Sequence, residues 1–379
     1  MEEEQLWKAC RNGKIEEVRK ILQISQININ WQNDSEKLTT SFYVACEKGH
    51  IEIVKLLLND DRVDIKKEDE DGQTPFYVAC QNGHTDIVKF LNDKRVDINK
   101  ANNDGQTSFY IACQEGHTDI VKLLLKEKKV DINKENGDGW TSFYVACENG
   151  YNEIVKLLLT DHRVDITKAN NDDGQTPFYV ACQKGRIEVV KLLLNNNRID
   201  LNEVTNDGYT PFYIACQEGH IEIVKLLLNN YRIRNINKAN NLGQTPFYIS
   251  CSKRHIDIVN LLLDEKRVNI NQADEEYGWT AFSCACSNGH IDIVEILLND
   301  KRVDINKVDK YGETPFYVAC KEGHIEIVKL LLNEKRISIR KKTKKGKTAI
   351  DITNERNSSN ILKLIKEFDT GNRHLINYK

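Results

Sequence analysis

The sequence predicts an all-α fold, a solenoid of about eleven stacked repeats that forms a curved, elongated rod. Ten of the eleven cysteines recur every 33–36 residues, and sequence motifs such as "DGQTPFYVACQNGH" and "IVKLLL" recur at the same spacing. The repetition leaves no linker, and such a period is typical of stacked helical repeats. We number repeats 1–10 by their cysteines and repeat 11 by Asn354, which takes the cysteine's place. The ten cysteines are Cys10, Cys46, Cys80, Cys113, Cys147, Cys182, Cys216, Cys251, Cys286 and Cys320.

Repeat 3 shows how the first helix of each copy is specified. Thr74 is a good N-cap, and Pro75 suits the first helical position, where its missing N–H costs nothing. The helix that follows is short and apolar on nearly every side, as expected for a helix packed between two neighbours. Gly83 supplies the left-handed residue that ends this helix, and His84 begins a second one.

The second helix and an extended segment complete each repeat. In repeat 2 the helical spacing predicts a buried stripe of Ile53, Val54, Leu57 and Leu58. An alternating "RVDIN" and a polar "KANNDG" turn follow in a typical repeat. They predict an extended finger that leads into the next copy.

These motifs resemble the ankyrin repeat, whose pattern is a β-turn, T-P-L-H-x-A-A, a G-H turn and an I-V-x-x-L-L helix. The resemblance covers residues 1–368. It implies a helix-turn-helix and a β-hairpin finger in each repeat. It also implies binding of protein partners on the concave surface that finger turns and first helices form.

The chain departs from the family pattern in three ways. Phenylalanine replaces leucine in nine first helices and tyrosine replaces histidine in eight, so the phenol hydroxyls need new partners. The glycine that normally ends the second helix is missing, and a string such as "NDKR" stands there. In repeat 8, Arg254 replaces the glycine that ends the first helix, which predicts either a strained turn or a different one.

We expect one solenoid domain over residues 1–368. Its N-terminal capping repeat covers 1–30, its internal repeats 31–340 and its C-terminal capping repeat 341–368, because terminal repeats need a solvated outer face. Residues 369–379 are expected to form a short tail.

Composition narrows the class of protein. Apolar residues make up 40% of the chain and charged residues 29%, while the net charge of −3 favours neither nucleic acid nor an anionic membrane. No basic leader or membrane span is visible. Cysteines at one repeated core position fit a reducing compartment. We therefore expect a soluble monomer in the cytoplasm, with the nucleus as the alternative.

No arrangement of residues predicts catalysis, a metal or a cofactor. A Cys-x-x-x-His spacing recurs in seven repeats, but it supplies two ligands per repeat where zinc needs four. Packed thiols and helix-start histidines are the simpler interpretation. Cys284, outside the repeated row, is either packing or a reactive thiol. Phosphate loops, nucleophile elbows and H-E-x-x-H motifs do not occur, so we expect a non-enzymatic protein.

A basic stretch near the C-terminus is the strongest local charge feature. It reads either as a solvated turn on the capping repeat or as a patch for nuclear import, an acidic partner or a phosphate backbone. No aromatic residues alternate with the charges, as single-strand binding would require. The patch consists of Arg340, Lys341, Lys342, Lys344, Lys345 and Lys347.

Sequence variety is concentrated in the fingers, between the finger glycine and threonine. Glutamine is usual there, but Trp140, Tyr209 and Trp279 occupy the position in repeats 5, 7 and 9. Tyr277 and Tyr311 add aromatic residues nearby. Exposed Trp and Tyr anchor many protein interfaces, so we interpret these five residues as the partner-binding site. Local packing of each ring is the alternative.

These observations predict a non-enzymatic interaction scaffold or adaptor that binds a protein partner through its fingers and first helices. The alternative is nucleic-acid or acidic-partner binding through the basic patch, although nucleic acid is not favoured. A third interpretation is an array that only spaces or tethers other proteins.

Overall fold

The computed structural model describes residues 2–92 and 96–376, and in these ranges 22 α-helices pack in consecutive pairs. The predicted all-α solenoid is thereby confirmed. The chain divides into two compact bodies, an N-terminal body of Met1–Asp200 and a C-terminal body of Leu201–Lys379. Within the described ranges no helix has both the length and the apolar character needed to cross a bilayer.

Repeats 1–6 build the N-terminal body. Its first helices pack on one another in series, as do its second helices. The first helices are α1 (Glu2–Arg11), α3 (Ser41–Glu47), α5 (Pro75–Gln81), α7 (Ser108–Gln114), α9 (Ser142–Asn149) and α11 (Pro177–Gln183). The second helices are α2 (Ile15–Ile21), α4 (Ile51–Leu58), α6 (Thr85–Leu91), α8 (Thr118–Leu125), α10 (Asn152–Thr160) and α12 (Ile187–Leu194).

Repeats 7–11 build the C-terminal body with the same two series of packed helices. The first helices are α13 (Pro211–Gln217), α15 (Pro246–Ser252), α17 (Ala281–Asn288), α19 (Pro315–Glu322) and α21 (Ala349–Glu355). The second helices are α14 (Ile221–Leu228), α16 (Ile256–Asp264), α18 (Ile291–Asn299), α20 (Ile325–Asn333) and α22 (Ser359–Ile376).

The first helices begin as the sequence predicts. The side chain of Thr74 accepts a hydrogen bond from the backbone N–H of Tyr77 at 3.1 Å, and Pro75 follows as the first helical residue. This N-cap satisfies one of the N–H groups that the helix leaves free. Six consecutive residues, 75–80, are buried, so every face of this helix is covered. The helix is therefore enclosed by its neighbours on nearly all sides.

The second helices bury a narrower stripe than predicted. In α4, Ile53, Val54 and Leu57 are buried, but Leu58 is only half-buried. Leu58 lies about two helical turns after Ile51, on the same side of the helix, and Ile51 is also half-buried. Both residues therefore lie at the edge of the buried face. The stripe prediction was wrong at this one position.

A histidine joins several of the repeats to the preceding one. Nε2 of His117 lies 2.8 Å from the carbonyl oxygen of Gln81 in the repeat before it. Gly83 has a φ of +77°, and a Cβ there would lie 2.6 Å from Cε1 of His117. The glycine is thus required both for its left-handed backbone and for the space that the ring fills.

The turn at Arg254 keeps the geometry of the glycine it replaces. Its φ is +61°, which is left-handed. Its guanidinium Nε lies 2.9 Å from Asp292 of the next repeat. The strained alternative is therefore the one the chain adopts, since a non-glycine residue in this region is disfavoured.

Arginines replace the missing glycine at the ends of the second helices. Nη2 of Arg163 donates to the carbonyl oxygen of Leu125 at 2.7 Å and to the carboxylate of Asp161 at 2.6 Å. Arg267 repeats the arrangement with Leu228 and Glu265. A cation at a helix C-terminus satisfies free carbonyls and complements the helix dipole.

A finger asparagine links successive repeats through the backbone. Asn99 donates from Nδ2 to the carbonyl oxygen of Lys129 at 2.7 Å and accepts from the N–H of Asp131 at 2.8 Å. Among the residues that the structure describes, six other fingers show both bonds. They are those of Asn30, Asn133, Asn202, Asn237, Asn271 and Asn306.

Regular β pairing is sparser than the predicted hairpins. In the described ranges, β1 (Gln32–Asn33) and β2 (Thr39–Thr40) form the one two-stranded sheet, paired antiparallel, and Ala101 bridges Thr107. The other fingers are turns, because a side chain near the start of each finger takes the N–H groups that a longer ladder would use.

Candidate protein-binding surface

A side-chain turn fixes the backbone of each finger. In repeat 5, Oδ1 of Asn136 accepts from the N–H of Asp138 at 3.1 Å and from that of Trp140 at 2.8 Å. The N–H of Asn136 donates in turn to the carbonyl of Trp140 at 3.0 Å. Asparagine and aspartate favour such turns because their side chains reach the backbone two residues on. The backbone position of the residue after the finger glycine is therefore fixed, and its side chain extends from the same place in each finger.

Glutamine at that position binds the tyrosine of the preceding repeat. The Tyr77 hydroxyl donates to Oε1 of Gln106 at 3.0 Å, and that of Tyr144 donates to Oε1 of Gln175 at 3.0 Å. The hydroxyl of Tyr43 reaches Gln73 and also the buried carboxylate of Asp69, at 2.9 Å. These bonds supply the partners that the replacement of histidine by tyrosine requires.

Trp140 packs on its own repeat. Its ring is half-buried and stacks on Tyr144 with centroids 5.5 Å apart and planes inclined by 18°. Its Nε1 is buried and has no hydrogen-bond acceptor in the part of the chain that the structure describes. The ring is held by stacking rather than by a polar contact, and its remaining exposed edge is apolar.

Tyr209 repeats this arrangement in the C-terminal body. Its ring is half-buried and lies 5.0 Å from the ring of Tyr213, tilted by 39°. Its N–H donates to Oγ1 of Thr205 at 3.1 Å. Thr205 therefore takes the role that Asn136 has in repeat 5. The ring again combines local packing with a solvent-facing edge.

Trp279 is tied to the next finger as well. Its Nε1 donates to Oδ2 of Asp309 at 3.2 Å, and its half-buried ring lies 5.3 Å from that of Tyr277. Asp309 is itself buried and holds its own finger through the N–H groups of Tyr311 and Glu313. Trp279 thus belongs to a network that spans two fingers.

Tyr277 and Tyr311 are more open than the other predicted residues. Their exposed fractions are 40% and 56%. Each precedes the glycine of its finger, and Leu242 has the same position with 47% exposed. Sequence reasoning missed Leu242 because it searched for aromatic residues; its place before the glycine is the signal that identifies it.

The basic patch is only partly paired. Arg340 forms an ion pair with Asp369, and Lys347 pairs with Glu355 at 2.7 Å. Four lysines remain exposed and form no ion pair in the described ranges. These are Lys341, Lys342, Lys344 and Lys345.

The cysteines lie in the core and are not grouped with other metal-ligating side chains in the part of the chain that the structure describes. The thiols are buried, and burial raises the pKa of Cys216 to about 12. Cys284 is also buried, with a raised pKa, and accepts from Nδ2 of Asn288 at 3.5 Å. Such thiols have little thiolate character at neutral pH. Over residues 2–92 and 96–376, no three His, Cys, Asp or Glu side chains gather as metal ligands would.

Comparison with known proteins identifies the repeat. The family model described as ankyrin repeats, in three copies, matches residues 6–102, 92–170, 163–239, 229–309 and 301–373. No curated protein matches the chain.

Proposed function

Because the chain belongs to the ankyrin-repeat family, we propose that it is a non-enzymatic scaffold that binds a protein partner through its fingers and first helices. Ankyrin repeats are in general protein–protein interaction modules. The proposal is carried by one observation: the helices are nearly uniform from repeat to repeat, while large, partly exposed side chains vary in the fingers.

We assign Trp140, Tyr209 and Trp279 as anchors, with Tyr277 and Tyr311 beside them. Their local packing supports this role. A ring already held against Tyr144 or Tyr213 loses little conformational freedom when a partner covers its open edge. Local packing and partner binding are therefore compatible functions of the same side chain.

Affinity capture tests the anchors. The full chain and the triple variant Trp140→Ala/Tyr209→Ala/Trp279→Ala are used as baits in parallel, and bound proteins are quantified by mass spectrometry. We expect at least one partner of the native chain to be lost, because removal of buried aromatic anchors weakens interfaces strongly. Unchanged recovery of every partner would reject the assignment.

A matched control uses the same finger position in other repeats. The variant Gln106→Ala/Gln175→Ala/Gln244→Ala removes three side chains at this position, each of which accepts a hydrogen bond from the tyrosine of the preceding repeat. We expect it to keep the partners. Circular dichroism of both variants separates lost binding from lost folding.

We further propose a monomer located in the cytoplasm. Eleven buried cysteines without a disulfide suit a reducing compartment. Sedimentation velocity tests the monomer, and a fluorescent fusion tests the location; a stable dimer or a secreted product would contradict them.

A further inference from the structure

The residue just before the finger glycine, here called the tip, changes character along the chain. Repeats 3–7 carry aspartate at the tip, namely Asp71, Asp104, Asp138, Asp173 and Asp207. Repeats 8, 9 and 10 carry Leu242, Tyr277 and Tyr311, here called the tip row, and repeat 11 carries Lys345. Three consecutive repeats of the C-terminal body thus place large apolar side chains where other repeats place a charge.

Backbone hydrogen bonds hold the tip row in register. The carbonyl oxygen of Leu242 accepts from the N–H of Glu275 at 2.8 Å, and that of Tyr277 accepts from Lys310 at 2.8 Å. The carbonyl of Tyr311 accepts from Lys344 at 2.9 Å. The backbone of each tip is therefore bonded to the finger of the next repeat. The three side chains follow one another along the edge that these fingers form.

The row is open to solvent. Between 40% and 56% of each of the three side chains is exposed, and the ring of Tyr277 continues inward onto Trp279. Adjacent apolar side chains exposed in this way mark interaction sites on folded proteins.

Charge around the row is asymmetric. Glu275 and Glu276 are exposed on the finger of Tyr277, in the middle of the row, and the exposed Lys310 of the next finger donates from Nζ to the carbonyl oxygen of Glu275. Beyond Tyr311 lie the exposed lysines of repeat 11 that have no carboxylate partner in the described ranges, among them Lys344 and Lys345. A partner that matches this pattern must be apolar along the row and acidic at the repeat-11 end.

We propose that the tip row binds a polypeptide segment whose apolar side chains contact Leu242, Tyr277 and Tyr311 and whose acidic residues lie over the lysines of repeat 11. The inference rests on the proposed function and specifies the chemistry of its partner. A nucleic acid fits less well, because Glu275 and Glu276 repel a phosphate backbone and Leu242 offers no face on which a base can stack.

Peptide selection provides the probe. Random sixteen-residue peptides displayed on phage are selected on the immobilised full chain, and the selected peptides are labelled for fluorescence anisotropy. We expect them to combine aromatic or aliphatic residues with a run of Asp or Glu. Failure to select such peptides would overturn the inference.

Variants at the tips test where these peptides bind. Tyr277→Asp and Tyr311→Asp introduce the residue that other tips already carry, so the backbone accommodates them. We expect each to weaken binding about tenfold or more. The matched control is Asp207→Ala, a tip outside the row, which should leave the affinity unchanged.

The lysines provide a second, independent readout. Lys344→Gln/Lys345→Gln should weaken binding about three- to tenfold and reduce its dependence on salt between 50 and 200 mM, since exposed charges are screened. Equal binding by this variant and the native chain would remove the acidic part of the inference.

Two further outcomes separate this inference from the proposed function. If the tip variants bind the peptides normally while the triple anchor variant loses a cellular partner, the tip row is wrong and the scaffold function stands. If a labelled thirty-nucleotide oligo(dT) binds and the same tip variants release it, the surface is a nucleic-acid site and the inference is overturned.

Discussion

The fingers of the N-terminal and C-terminal bodies share one backbone design, but repeats 3–6 carry aspartate at the tip, whereas repeats 8–10 carry large apolar side chains there. In the first body the carbonyl of Asp71 accepts from the N–H of Asn103 at 2.9 Å; in the second, that of Tyr277 accepts from Lys310 at 2.8 Å. Because backbone atoms form this joint, it does not depend on the identity of the tip side chain, which is therefore free to vary. Four predictions follow from this separation of scaffold and tip, taken from the largest expected effect.

A buried side chain beneath the fingers should matter far more for stability than a tip. Phe247 is 2% exposed in α15, and Phe247→Ala should lower the free energy of unfolding by about 3–5 kcal/mol because it leaves a cavity. The midpoint of urea denaturation, followed by circular dichroism, measures this. Tyr311→Ala is the control and should stay within about 0.5 kcal/mol; a comparable loss there would break the separation.

Two neighbouring residues at one tip should respond in opposite ways. Gly243 has a φ of +77°, and a Cβ there would lie 2.5 Å from the backbone nitrogen of Glu275. Gly243→Ala should therefore cost about 1–3 kcal/mol. Leu242→Asp, one residue earlier, should change stability by less than about 0.5 kcal/mol. The shifts in thermal midpoint of the two variants, measured side by side, test this. Equal shifts would contradict the conclusion that the tip side chain is free to vary.

The finger asparagine should have an intermediate effect. Asn237→Ala removes one bond to the carbonyl of Arg267 and one to the N–H of Asn269, at a cost of about 1–2 kcal/mol. Lys266→Ala, an exposed neighbour without such bonds, is the matched control. Urea denaturation compares them; an effect of Asn237→Ala no larger than the control's would show that water replaces both bonds.

The smallest predicted effect is the pH dependence of the stability that Glu265 contributes. Hydrogen bonds from the Arg267 side chain and backbone lower the pKa of Glu265 to about 2, below its value of about 4.3 in an unfolded chain. Its stabilising contribution is thus present above pH 4–5 and is lost as the pH falls towards 2. Arg267 is exposed and Glu265 only half-buried, so solvent screens the pair and the contribution is below about 1 kcal/mol.

Glu265→Gln measures this contribution. Its thermal midpoint should lie below that of the native protein at pH 7, and the gap should narrow below pH 4 and close only as the pH reaches about 2. In an Arg267→Ala background the same substitution should produce a smaller pH-dependent gap, because only the backbone hydrogen bond to Glu265 remains. A gap that persists unchanged at low pH would contradict the assignment.

The sequence was sufficient for the parts of the molecule that local chemistry determines. Thr74, Pro75 and Gly83 mark the first helix correctly because capping and left-handed geometry depend on a few adjacent residues. The ankyrin assignment followed from motifs that return in nearly every copy.

Contacts between repeats were less visible. The bond from Tyr144 to Gln175 and the cap of Arg163 on Leu125 join residues more than 30 positions apart, so no local pattern reveals them. The same limit hid Leu242, whose meaning depends on the tips that follow it in space. The role of the five predicted aromatic residues as anchors stays a prediction.

The asparagine bridge has a consequence for how such a chain can evolve. Asn99 forms hydrogen bonds only with backbone atoms of Lys129 and Asp131, so these bonds do not depend on the side chains at the two positions. A repeat is therefore interchangeable with any other that presents the same peptide groups. Duplication or loss of a whole copy leaves this bridge intact at each surviving junction, so the array can gain or lose length while each tip diverges on its own.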